Sequence, residues 1–395
     1  MRLVSYLNAS NLSNLEADSG FVFQRALLGE FARRGADVAL VGPPEMPDPG
    51  PGVLSLAVPM PDSKYGIRLG LDWDQVGAAF ATIPPPDVLL INQSELTLSL
   101  STLAAEVWAR EVPCVTYFHY LAVEGVDVAT GTPIYDPSLD LGGAARRIWT
   151  RQVEAAEIAR LNLIGSNWGR DLFIRASGTQ GEFASRFRVV APPCDLPVEV
   201  EINHPDGEPV ILYNHRLYAH YGGLRIFEWL AECRRSLGFP FRVLVTDPTA
   251  GRSPRRDALD GDVRRVSAEL GKFDFVRIEH ARTRLEYARA VAQSSMALAP
   301  QRTGALWSMA VADAMWLGKP VLVPAAGSYP ELVDDPRPVF VERTHIVEQE
   351  PDHIAVTGDL VNLGLPEEFL RAADWLHHLG PPDKVTAIPG NHDAY

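Results

Sequence analysis

The chain has 395 residues, 46% of them hydrophobic, and a formal net charge of −14 at pH 7. That length supports two or three domains with real cores, and the acidic balance argues against a broad electrostatic surface for nucleic acid. Cys114, Cys194 and Cys233 stand far apart with no CxxC or metal-type pairing, which argues against a disulfide framework. With no charged-then-apolar leader and no apolar run of about eighteen residues, the expectation is a cytoplasmic protein without a membrane span.

The charge is uneven. Residues 341–395 hold ten acids against three basic residues, half of the whole surplus. Local basic clusters, at Arg146, Arg147 and Arg151 and again at Arg252, Arg255 and Arg256, read as solvated faces or loops, with a phosphate contact as the alternative for either.

From the N-terminus, short apolar runs alternate with helical patterns. Strands are expected at 2–7, 37–41, 87–92, 114–118 and 161–165, and helices at 21–34, 98–110, 144–160 and 167–176. Strands alternating with helices imply a parallel sheet covered on both faces. Residues 191–209, rich in proline and acids, read as a linker. A second alternating unit follows, with strands at 210–213, 242–245, 275–278, 296–299 and 320–323 and helices at 224–237, 284–293 and 308–317. The fold class is therefore α/β: two Rossmann-like, doubly wound domains (1–195 and 196–340) facing across a cleft, then a short β-α-β tail at 341–395.

Two blocks carry the chemistry. PVILYNHRLYAHYGG, over 209–223, is a buried strand that ends in Asn-His-Arg and runs through a glycine pair into a helix. ALAPQRTGALWSMAVADAMWLGKPVLVPAAGSYPE, over 297–331, reads strand, loop, helix, strand, loop. A fixed cation at Arg216 and unpaired N–H groups at a helix N-terminus after Gly304 are what a diphosphate needs.

The order of these features over about 1–335 resembles the retaining GT-B glycosyltransferases. The YNHRLYAHYGG block more narrowly resembles the queuosine-tRNA mannosyltransferases and the phage enzymes that glycosylate hydroxymethylated bases in DNA. The resemblance implies a nucleotide-sugar donor, a UDP- or GDP-sugar, held by the second domain, and an acceptor held by the first. Arg216 matches the arginine that neutralises the diphosphate. The lysine usual five residues on is Tyr221 here, with Arg302 and His220 as the nearest replacements for its charge. Asp313 matches the acid that accepts hydrogen bonds from ribose hydroxyls, a role suited to a carboxylate. The first acid of that pair falls at Ala305, which puts sugar recognition by a carboxylate from this position in doubt and leaves the N–H groups of Leu306, Trp307 and Ser308, expected to open the helix. Gly20 matches the glycine-rich turn, and His119, in TYFHY, the histidine that contacts the donor sugar. Each has a plain structural alternative: an ion pair for Arg216, an exposed helix position for Asp313, a packed strand-end imidazole for His119.

The implied chemistry is electrostatic. The bond to phosphate breaks through an oxocarbenium-like state, and Arg216 and helix amides stabilise charge on the diphosphate. No protein nucleophile or metal is required, and no Asp-x-Asp pair occurs in the two blocks. The implied acceptor is a hydroxyl, on a modified base in nucleic acid by the narrower resemblance and on a small molecule, lipid or glycan by the acidic balance. A non-catalytic nucleotide-sugar-binding protein is the alternative of another class.

Residues 351–395 resemble a piece of the calcineurin-like metallophosphoesterases, through Gly358-Asp359 and Gly390-Asn391-His392-Asp393. The family's upstream Asp-x-His block is absent: Arg343 and His345 stand in its place, and the chain stops before the downstream histidines. A dinuclear metal site is not expected, and the tail reads as a non-catalytic fused fragment.

Overall fold

A computed structural model of the chain describes residues 1–7, 9, 12, 15–61, 64–136, 143–179, 181–194, 196, 200, 207–218, 221–238, 240–246, 258–279, 283–300, 304–333, 354–357, 373 and 385–388. It divides into two compact units, Met1–Val321 with Ala326–Leu332, and Leu322–Ala325 with Val333–Tyr395. The first holds the whole N-terminal Rossmann-like sheet and, except for Leu322, the second one.

The N-terminal half runs β1 (Arg2–Tyr6), α1 (Ser19–Arg33), β2 (Asp37–Gly42), β3 (Val53–Ala57), α2 (Lys64–Leu69), α3 (Trp73–Ala81), β4 (Val88–Ile91), α4 (Thr97–Trp108), β5 (Cys114–Phe118), β6 (Val123–Val126), β7 (Pro133–Tyr135), α5 (Ala144–Ile158), β8 (Leu161–Ile164), α6 (Asn167–Ser177) and β9 (Phe187–Val189). Its seven-stranded sheet has the order β3-β2-β1-β4-β5-β8-β9, parallel throughout. Successive side chains of β1 serve opposite faces: Val4 and Tyr6 pack with the helices α3 and α4, while Leu3 and Leu7 pack with α1. Burial on both faces encloses four successive residues, Leu3 to Tyr6, and the one polar side chain among them, Ser5, donates to the Leu90 carbonyl at 2.9 Å.

The C-terminal half repeats the plan with β10 (Val210–Tyr213), α7 (Gly223–Leu237), β11 (Arg242–Thr246), α8 (Ala258–Leu270), β12 (Val276–Glu279), α9 (Arg284–Ala292), β13 (Met296–Leu298), α10 (Met309–Trp316), β14 (Val321–Leu322) and α11 (Tyr329–Leu332). The sheet order is β12-β11-β10-β13-β14, with β10, β11, β12 and β13 paired in parallel. Leu212, Leu244 and Ala297 of the strands pack under Ala288, Val291 and Ala314 of α9 and α10. Leu196 and Val200, from the expected linker, join this core.

In each sheet the strand order reverses once, between β1 and β4 and between β10 and β13. Chain ends diverge at such points and leave a crevice at the carboxyl ends of the strands. The residues that follow these four strands are therefore the first place to look for a site.

In the second unit, β15 (Ile354–Thr357) and β16 (Val385–Ile388) pair in parallel, Ile354 opposite Val385. The expected helix between them lies outside the described residues, apart from Ala373. So do Arg343, His345, Gly358-Asp359 and Gly390 to Asp393.

Candidate functional site

The end of β10 is pinned before it turns toward the site. Asn214 donates through Nδ2 to the Tyr287 hydroxyl and to the Ala310 carbonyl, both at 2.8 Å, tying the strand to α9 and α10. Arg216 follows. Its Nη1 donates to the Tyr218 hydroxyl at 3.1 Å, and its guanidinium lies 5.8 Å from that ring's centroid. Tyr218, and then the Asp18 carboxylate, hold the guanidinium above its ordinary range against the opposing effect of burial. Arg216 is thus a cation at every working pH, within electrostatic reach of an acid of the other half. Tyr221 packs edge-on against Tyr218 with centroids 5.4 Å apart, where a lysine would have added charge.

Gly20 differs from its expectation. Asp18, buried, caps α1 and accepts from the N–H groups of Gly20 at 2.9 Å and Phe21 at 3.4 Å. Gly20 lies inside the first helical turn with its amide already bonded, because an aspartate one residue before the helix satisfies these donors directly. It is Asp18 that meets Arg216 electrostatically.

The loop after β13 also departs from expectation. Arg302 lies outside the described residues, as do His220 and 280–282. Leu306, Trp307 and Ser308 do not open the helix: α10 begins at Met309, and Ser308 is its N-cap, accepting from the Val311 N–H at 3.3 Å. The serine hydroxyl competes successfully for the first turn, and the residues before it are drawn into the N-terminal half. Leu306 is buried in the cluster built by Phe118, Trp149 and Phe173. Two glycines make this possible, since a Cβ on Gly169 would lie 2.6 Å from Leu306 Cδ2 and one on Gly165 3.2 Å from the Leu306 carbonyl oxygen. The Trp307 indole Nε1 is buried beside them with no hydrogen-bond partner among the described residues.

Asp313 is not an exposed helix position. It is 2% exposed, paired with Arg284 at 3.3 Å and 3.4 Å, and accepts from the Cys194 thiol at 3.2 Å. Arg284 is the first residue of α9, which starts there because Thr283 and Glu286 form a capping box. Burial, then Asp313, push the Cys194 thiol up to about 12, so it is no nucleophile at neutral pH. The carboxylate expected to face a ribose is thus enclosed by Arg284, Tyr287 and Cys194 on the α9–α10 side.

His119 follows β5. Its ring lies between Phe23 and Tyr117, with centroids 4.5 Å and 4.6 Å away, and its Nε2 is 3.3 Å from Asn92 Oδ1. Burial, then the neighbouring Arg68 charge, hold its pKa down to about 3. The imidazole is therefore neutral at pH 7 and can offer a hydrogen bond but no charge.

Sequence reasoning missed the polar turn after β4. Asn92, Gln93, Ser94 and Glu95 are all buried. Glu95 pairs with Arg68 at 3.2 Å and accepts from Gln93 at 2.8 Å, while Arg68 lies 4.0 Å over the Tyr120 ring. Burial raises the Glu95 pKa even against Arg68. The available signal was four successive polar residues directly after a buried strand at the switch point of the sheet. A second omission is Glu331. Its carboxylate accepts from the N–H groups of Asn167 at 2.7 Å and Trp168 at 2.5 Å and from Asn167 Nδ2 at 3.1 Å, closing the N-terminus of α6.

Compared with known proteins, the chain has the GT-B fold. It superposes on sucrose-phosphate synthase from Thermosynechococcus elongatus with a TM-score of 0.60 at 16% identity, covering 85% of this chain and 84% of that one. Anabaena HepE in complex with UDP and glucose gives 0.58 at 15%, over 86% and 85%. The catalytic domain of starch synthase IV from Arabidopsis thaliana, bound to ADP and acarbose, gives 0.56 at 13%, over 96% and 92%. No curated protein matches the chain. A family model for calcineurin-like phosphoesterase matches residues 334–395. Among the described residues no group of three or more His, Cys, Asp or Glu could hold a metal ion, and no helix is long and apolar enough to cross a membrane.

Proposed function

We propose that the chain is a retaining, metal-independent glycosyltransferase that moves a sugar from a UDP- or GDP-sugar to a hydroxyl. The observation that carries this reading is Arg216, a half-buried permanent cation just past the carboxyl end of β10, at the sheet's switch point. In this role the guanidinium neutralises the diphosphate as the glycosidic bond breaks, the N-terminus of α10 adds its dipole, and the Trp307 N–H offers a further hydrogen bond. His119, neutral, contacts the sugar. Asp313 orients the ribose side of the pocket through Arg284 and Tyr287.

The acceptor we propose is the hydroxyl of a modified base in nucleic acid, of the hydroxymethylated kind that phage enzymes glycosylate, and the setting is cytoplasmic. This rests on the YNHRLYAHYGG resemblance. The acidic surplus favours a second reading, a neutral hydroxyl on a small molecule, lipid or glycan. The tail's likeness to phosphoesterases supplies no step here.

The test is incubation with a panel of UDP- and GDP-sugars, following nucleotide release and mass increase on hydroxymethylated duplex and on simple glycan acceptors. Release from one donor with mass gain on the duplex supports the reading in full. Gain on the glycans alone moves the acceptor, and no release from any donor overturns the activity.

A further inference from the structure

A hexose presents several vicinal O–H donors, and a carboxylate is the acceptor-only group best suited to hold two of them. Ala305, buried in the loop between β13 and α10, has none to give. The chain brings one there from the opposite half. Hairpin β6–β7 is the excursion that follows His119, and its register slips between Val123 and Gly125, leaving Glu124 as the bulged residue. A bulge re-aims a side chain out of the ladder and is a common device beside active sites.

Glu124 lies against Gly304: a Cβ built on the glycine would meet Glu124 Cβ at 3.2 Å and its Cα at 3.6 Å. Glycine at 304 is what allows the hairpin to approach the donor loop so closely. We infer that Glu124 supplies the carboxylate that binds the hydroxyls of the transferred sugar, taking over from the N-terminal half what the loop at Ala305 cannot provide. The inference rests on the nucleotide-sugar reading. It deepens that reading by making sugar recognition a property of both halves, so that the sugar is gripped only when hairpin and loop are in contact. Burial and then Asp136 raise the Glu124 pKa; a desolvated carboxylate of this kind gains most from hydroxyl donors.

The experiment uses the full chain and the donor that wild type cleaves in the UDP- and GDP-hexose panel. Calorimetric titration compares that nucleotide sugar with its free nucleoside diphosphate, for wild type, Glu124→Gln and Glu124→Asp. The expected result is a loss of at least about tenfold in affinity for the sugar nucleotide in Glu124→Gln, with the free diphosphate within about twofold of wild type and partial recovery in Glu124→Asp. Equal sugar-nucleotide affinity in Glu124→Gln and wild type overturns the inference while leaving the donor site standing. Parallel losses for both ligands overturn it as well, since they mean a structural role. Wild type that binds neither nucleotide removes the underlying reading, and this inference with it.

Discussion

Substituting Asp313→Asn removes one charge from the pair with Arg284 and leaves its partner largely desolvated. The two side chains are 3% and 13% exposed and meet at 3.3 Å. Breaking a buried pair costs about 3–5 kcal/mol. The contacts are long and Arg284 keeps some solvent, so we expect about 3 kcal/mol, seen as a fall of roughly 4–5 °C in Tm for a unit of this size. The double substitution Arg284→Met with Asp313→Leu is expected to recover more than half of that loss, because it leaves no uncompensated charge in the core. Thermal unfolding followed by circular dichroism reads both. If Asp313→Asn melts within about 1 °C of wild type, the pair contributes little and the carboxylate is free to serve a ligand, which would refute its structural role.

Three further expectations concern the site. Arg216→Ala should weaken nucleoside diphosphate binding by at least about tenfold in calorimetry while Tm changes little; unchanged affinity would put the diphosphate elsewhere. Gly169→Ala places a methyl 2.6 Å from Leu306 Cδ2 and 3.1 Å from Ser166 Oγ. It should cost about 1–2 kcal/mol in denaturant melts, overpacking outweighing the helical preference for alanine, and a gain in stability would refute the packing argument. His119 binds its proton less readily in the folded chain than in the unfolded one. Its contribution is therefore complete above the ordinary 6.5 and is lost as pH falls toward about 3. Urea melts of His119→Phe should accordingly lose less stability than wild type as pH drops through that window, and parallel curves would contradict the assignment.

The fold was legible where burial imposes a pattern. The expected strands 114–118 and 210–213 coincide with β5 and β10, whose apolar runs are enclosed on both faces. The edge strand β3 went unread because its short run, VLSLA, stands between proline- and glycine-rich stretches at 47–52 and 59–61 that read as loop. α8 went unread because charges and an internal Gly261 dilute its apolar stripe. At the site, the residue types were legible and their assignments less so. Asp313 looked open in sequence because nothing local announces that Arg284 and Cys194 will close on it. Glu331 on α6 and Glu124 on Gly304 are contacts between chain segments far apart, set by how two sheets dock. No periodicity in a single sequence encodes such a contact.

The most direct test of the donor site is amide hydrogen exchange of the full chain with and without a saturating UDP- or GDP-sugar. Protection is expected to concentrate at 214–218, at 304–311 and at the 123–126 hairpin strand, the three segments that carry Arg216, the loop before α10 and Glu124. Protection confined to other segments, or none with any nucleotide sugar, would contradict the account.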